Sequence, residues 1–131
     1  MALTEIDRKT IGIIVQVGDP IPPGEPSGYM PIGNIKVYNP NIAGYQDPAL
    51  PLTVGLGQVI GAITAGVNNS GSLQNMRVDL IITEPDSVVV TVAGPVFEIV
   101  NNGVEAWEPR YTTRKKGAHS MTLVLYAEII S

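Results

Sequence analysis

An all-β antiparallel sandwich entered through a proline-rich arm is the fold this chain predicts, on three observations. Eight of its eleven prolines fall between Pro20 and Pro51, where rings that fix φ and remove donors forbid helix and central strand. From about Val54 onward apolar residues alternate with polar ones, the period of a two-faced sheet. Clusters of Gly, Asn, Asp, Pro and Ser recur between these runs at near-regular spacing, as in a sandwich or barrel. Residues 1–50 are therefore expected as an extended arm with short strands, and residues 51–131 as the β domain.

Residues 10–17 are rich in β-branched side chains and read as a strand, at an edge or exchanged with a neighbour, ended by Gly18-Asp19-Pro20. Residues 20–31 are polyproline-like or irregular, stiff and extended. Residues 35–38 form a short strand stopped by Asn39-Pro40, and residues 41–51 a loop with Tyr45 as an anchor. In residues 58–67, Val59, Ile63 and Val67 share one face with Gly61 and Ala65 between them. Residues 68–72 turn by composition. Met76, Val78, Leu80 and Ile82 then alternate with Arg77, Asp79, Ile81 and Thr83, the cleanest half-buried strand in the chain. Glu84-Pro85-Asp86-Ser87 turns into a strand at 88–92. Strands at 96–100 and 104–107 flank Asn101-Asn102-Gly103, and Asn-Gly between strands signals a hairpin because both residues accept positive φ. Met121, Leu123, Leu125, Ala127 and Ile129 form the last inward stripe.

The bulk numbers bound the role. At 131 residues the chain is one domain with an appendage. It is 44% hydrophobic but only 15% charged, against about 25% charged in an average globular chain. Low charge predicts that part of the surface is covered, by self-association or by a partner. The formal charge of −4 argues against nucleic acid, which needs a basic face to neutralise phosphates. Cysteine is absent, so no disulfide or thiolate chemistry is available. The N-terminus has no apolar h-region behind a basic start, so no export signal is expected. No run approaches the roughly 20 apolar residues of a membrane helix.

No motif carries catalysis. Gly55-Leu56-Gly57-Gln58-Val59-Ile60-Gly61 spaces its third glycine one residue late for a dinucleotide loop and has no helix after it, so it reads as a strand entry. His119 is the only histidine. Its neighbour Ser120 would point to the opposite face of a strand, so the two cannot form a nucleophile–base pair. One histidine without cysteine also excludes ordinary zinc sites. Glu84, Asp86, Glu98, Glu105 and Glu108 include no calcium-loop spacing, and Glu84 and Asp86 sit in a turn. No metal or cofactor is expected. Arg110, Arg114, Lys115 and Lys116 hold half of the basic residues in one loop, either a docking patch for an acidic surface or a solvated loop. Trp107 is either a core plug or an interface anchor. Asn68-Asn69-Ser70 has the form of a glycosylation sequon and equally that of a turn.

One resemblance rests on Gly57-Gln58-Val59-Ile60, Val67-Asn68-Asn69-Ser70-Gly71, Val78-Asp79-Leu80-Ile81-Ile82, Glu84-Pro85-Asp86-Ser87 and Gly117-Ala118-His119-Ser120-Met121-Thr122. In that order, over residues 54–131, they resemble prokaryotic Ig-like modules of the adhesion and CARDB-like type. The chain carries Ser87 where such modules often have Gly, and no cysteine pair. The resemblance implies an Ig-like antiparallel sandwich, a scaffold for adhesion and assembly. In size and build the chain also resembles structural proteins of tailed phages, including capsid decoration and tail components. The expectation is thus a non-enzymatic structural protein of a virion, made in the host cytoplasm, whose partners are other structural subunits or itself as a homo-oligomer. Neither nucleic acid nor membrane is an expected partner. Candidate docking residues are Ile11, Ile13, Val15, Tyr29, Tyr45, Trp107, Arg114, Lys115 and Lys116. The alternatives are an adhesion or carbohydrate-binding module of a prokaryotic surface protein, and a small hydrolase or lectin-like binder using loop carboxylates.

Overall fold

A computed structural model describes residues 3–10 and 24–130 and shows two antiparallel sheets packed as a sandwich. Each sheet is organised by ten-residue strands: β5 (Val59–Asn68) in one, β6 (Gln74–Thr83) and β11 (Ser120–Ile129) in the other. The first sheet runs β1 (Thr4–Thr10), β11, β6, with β7 (Val89–Val92) and β8 (Phe97–Ile99) end to end along the far side of β6. In the second, β9 (Val104–Trp107) and β10 (Arg110–Thr112) lie along one side of β5. β2 (Gly28–Tyr29) and β3 (Lys36–Asn39) lie along its other side, and β4 (Gly44–Gln46) is outside β3.

The breaks in the side strands have local causes. Between β7 and β8 the chain passes so close to β6 that a Cβ on Gly94 would sit 2.2 Å from the Val78 carbonyl oxygen. Only glycine fits that approach. Between β9 and β10, Pro109 has no N–H to give the ladder, but its carbonyl accepts from Ala62 N–H at 3.1 Å. The register carries through this gap, since Trp107 lies opposite Thr64 and Arg110 opposite Gly61.

The core lies between the sheets. Met76, Val78, Leu80 and Ile82 are fully buried, as their alternation predicts, and stand beside Leu123, Leu125 and Ala127 of the neighbouring β11 on the same inner face. Trp107 is 2% exposed and spans the layers. Its ring tilts against Phe97 at 5.4 Å, its Nε1–H donates to the Pro95 carbonyl at 2.9 Å, and it covers Gly66, where a Cβ would stand 3.0 Å from it. A large ring seated on a glycine closes one end of the core.

Three expectations change here. The boundary at residue 50 is not a structural one: β1 extends the first sheet through β11, and β2, β3 and β4 build half of the second. Residues 4–10, expected as part of the extended arm, form the edge strand of the first sheet, tied in by Asp7, whose carboxylate accepts from the Met30 N–H at 2.7 Å and from the buried Lys9 ammonium at 2.6 Å. Residues 11–23, with most of the strand expected at 10–17 and the first four residues of the polyproline stretch, lie outside the described residues, while the rest of that stretch includes β2. Asn101-Asn102-Gly103 makes no hairpin, because β8 pairs with β6 and β9 with β5, so the turn crosses between sheets. Asn102 supplies the positive φ of 65°, which Asn tolerates better than most residues. It is held by its N–H to the Asn68 carbonyl at 2.7 Å.

Candidate docking interface

β5 is apolar on both faces. Its even-numbered residues face the core, where Ile60, Ala62 and Thr64 are buried. Alternation therefore turns Val59, Gly61, Ile63, Ala65 and Val67 outward. The face marked by apolar spacing in the sequence is the outer one. The neighbours continue it: Tyr29 stands beside Val67, Lys36 beside Ile63 and Tyr38 beside Gly61, with Tyr45 next to Tyr38. On the other side Val104, Ala106 and Arg110 stand beside Val67, Ala65 and Gly61. Glu108 falls opposite Ile63 where the ladder is interrupted; it is exposed while Trp107 and Pro109 are buried, so alternation puts it on this outer side. Tyr29 and Val104 are 45% and 58% exposed. Lys36, Tyr45, Ile63, Ala65 and Ala106 line a shallow, mostly apolar depression of about 350 Å³ in the middle of the face.

At one corner Arg110 is held in place before any partner arrives. Its guanidinium carbon lies 3.6 Å from the Tyr38 ring centroid, and its Nη2 donates to the Tyr45 hydroxyl at 2.8 Å. The two tyrosines meet edge to face at 5.7 Å. Arginine and tyrosine fixed on an apolar surface are the residue types that anchor protein interfaces.

The outer face of the first sheet is the control. It presents Asn75, Arg77, Asp79, Thr83, Ser120, Thr122, Tyr126 and Glu128 around Ile81 and the buried Val124, flanked by Glu5, Arg8, Val89, Thr91 and Glu98. Its cations are matched within the chain: Arg77 pairs with Asp79 at 2.9 Å and Arg8 with Glu5 at 2.6 Å. That is the ordinary solvent face of an antiparallel sheet. The second sheet differs in its central strand, whose outward residues Val59, Gly61, Ile63, Ala65 and Val67 include no polar side chain.

The expected basic patch is largely paired within the molecule. Glu84, at the end of β6, has no exposed side-chain surface, and it receives Arg114 through two bonds of 2.7 and 2.8 Å. Lys115 reaches the same carboxylate at 3.0 Å and Asp86 at 2.6 Å, and the Tyr111 hydroxyl donates to Glu84 as well. The Arg114 guanidinium, and after it Tyr111, hold the Glu84 carboxyl far below the ordinary range. Asp86 raises Lys115, and desolvation raises the Tyr111 hydroxyl. This network joins the first sheet to the strand end of the second.

The other candidates scatter. Tyr29 and Tyr45 lie on the apolar outer face; Trp107 is core, which corrects its reading as an anchor; Ile11, Ile13 and Val15 lie outside the described residues. Lys116 is exposed beside a cleft of about 640 Å³, together with His119, Ser120, Leu50, Leu52 and Val54. His119 caps the start of β11, with Nδ1 2.9 Å from the Gly117 carbonyl. Asn68 is fully buried, donating to Ser72 and Ile99 carbonyls at 2.7 and 2.6 Å, so the sequon is a turn rather than a modification site. Among the described residues no group of three or more His, Cys, Asp or Glu side chains is placed to hold a metal ion. Sequence reading missed Tyr38, Ile63 and Val104 as surface groups; the signal was the unbroken apolar run of β5, which marks a strand covered on both sides. Comparison with protein-family models, curated proteins and solved structures finds no match to this chain.

Proposed function

We propose that this chain is a non-enzymatic structural protein that works by docking, a capsid decoration or tail component of a virion, and that its docking surface is the outer face of the second sheet. The observation that carries this reading is β5, a central strand with apolar residues on both faces while the opposite sheet keeps a charged, self-paired solvent face. A surface of this kind calls for a cover. The low charge of the whole chain agrees with it. The Ig-like likeness is kept at the level of architecture: here the first and last strands are antiparallel neighbours, whereas Ig domains place them in different sheets.

The test is incorporation. The protein is co-expressed with the structural subunits encoded beside it, and assembled particles are pelleted. The wild type is expected in the pellet and Ile63→Glu in the supernatant. Ile63 is flanked by Lys36 and Glu108, one charge of each sign, and its side chain faces outward, so far-ultraviolet circular dichroism should be unchanged. Normal entry of a folded Ile63→Glu variant would refute the reading.

A second reading, a ligand-binding module of a prokaryotic surface protein, is favoured by the end cleft, where Leu50, Leu52 and Val54 share a cavity with Lys116, His119 and Ser120. Glycan-array binding that disappears in Lys116→Ala would bring it forward.

A further inference from the structure

From the layout of the second sheet's outer face we infer that its occupant is a second copy of this chain, packed face to face about a two-fold axis that runs along β5. The inference rests on the docking reading above and adds the partner's identity.

At three levels the residues on the two sides of β5 complement each other. Lys36 and Glu108 flank Ile63, Tyr38 and Arg110 flank Gly61, and Tyr29 and Val104 flank Val67. A two-fold axis along β5 exchanges left and right and keeps the level. It therefore places Lys36 of one copy over Glu108 of the other, Arg110 over Tyr38, and Val104 over Tyr29, each twice. Ile63 and Ala65 lie on the axis and meet themselves, filling the two central depressions with each other's side chains. Neighbouring strands are about 4.8 Å apart, so Lys36 and Glu108 of one copy are roughly 10 Å apart across two rows. Ile63 stands between them within the chain, and they form none of the described ion pairs.

Size agrees. The three rows that the axis superposes, at about 4.8 Å each and over a ten-residue strand at about 3.3 Å per residue, give a face of roughly 480 Å². Two such faces come to roughly 950 Å², the size of a weak, reversible association. Face-to-face sheets also stack at about 10 Å, which the interior of this sandwich already does once. A heterologous partner would need no such left–right matching; an isologous one requires it.

The experiment is sedimentation equilibrium on the full chain with a charge-reversal cycle. Wild type is expected to dimerise. Lys36→Glu and Glu108→Lys, each alone, oppose like charges twice and should weaken the dimer at least tenfold. The double variant Lys36→Glu/Glu108→Lys restores both pairs and should recover the wild-type constant, and an equimolar mixture of the two single variants should form a heterodimer. Unchanged far-ultraviolet circular dichroism of each variant confirms that the monomer fold is intact. A monomer at every concentration, a dimer indifferent to the single reversals, or a double variant that stays weak would each overturn the inference. The docking reading is judged separately: if Ile63→Glu still fails to enter particles while the wild type is a monomer, docking stands and self-association falls. If folded Ile63→Glu enters particles, docking itself falls.

Discussion

Truncating Trp107 to alanine tests whether one ring closes the core by resting on a glycine. The side chain is 2% exposed and fills the space between Gly66 of β5, Leu125 of β11 and the Gly94-Pro95 break in the first sheet. Its removal loses the burial and leaves a cavity, together about 3–5 kcal/mol for a Trp→Ala change. Small domains hold about 5–15 kcal/mol in total, so the variant should still fold, with its Tm lowered by roughly 10–25 °C. The sharper readout is coupling. A Cβ on Gly66 would stand 3.0 Å from the Trp107 ring and 3.2 Å from Leu125 Cδ1. Gly66→Ala should therefore cost about 1–2 kcal/mol in the wild type. With Trp107 gone, only the flexible end of Leu125 is in the way, and the same substitution should be close to neutral. A double-mutant cycle by urea unfolding, followed by far-ultraviolet circular dichroism because the only tryptophan is removed, should give a coupling of about 1–2 kcal/mol. Equal costs of Gly66→Ala in both backgrounds would show that the ring is not seated on this glycine.

Three further outcomes follow from the same packing. Glu84 has a folded-state pKa depressed chiefly by Arg114, so its contribution is in place above the ordinary carboxylate range and is lost as pH falls through the depressed value. Glu84→Gln should lower the urea midpoint at pH 7 and converge with wild type in strong acid; curves that stay parallel at all pH would contradict the network. Gly94→Ala drives a methyl group to within 2.2 Å of the Val78 carbonyl oxygen, and should cost about 3 kcal/mol or raise insoluble expression. Asp7→Ala removes the acceptor for the Met30 N–H and leaves Lys9 buried alone, costing about 2–3 kcal/mol. Hydrogen exchange should show it as lost protection confined to β1 and Met30, and an unchanged exchange map would argue against the tie.

Local pattern made much of the fold legible. The alternation at 76–82 and 121–129 marks the strands that form the centre of the first sheet, because a strand with one wet face writes its burial at period two. The turn at residues 84–87 was equally readable, although its left-handed position is met by Ser87 at φ 70° rather than by glycine. What failed were inferences about partners distant in sequence. Prolines from 20 to 51 suggested an arm, yet proline-free stretches between them pair with β5 as β2 and β3, and β4 adds outside β3. Residues 4–10 mix charged and apolar side chains because they form an edge, where charge blunts further pairing. Arg114 and Lys115 looked like a free patch since their acidic partners, Glu84 and Asp86, are about thirty residues away.

By itself, the sequence determined the all-β class, the long central strands, most turns and the shortage of surface charge. These follow from periodicity and composition, which are properties of neighbouring residues. Only the tertiary structure decided which face of β5 looks inward. Both of its faces are apolar, so periodicity could mark the strand but not orient it. The seating of Trp107 over Gly66 and Leu125 settles the matter, since a large ring fits only over the face that carries Gly66. That choice turns Val59, Ile63 and Val67 outward and leaves the second sheet with a surface still to be covered.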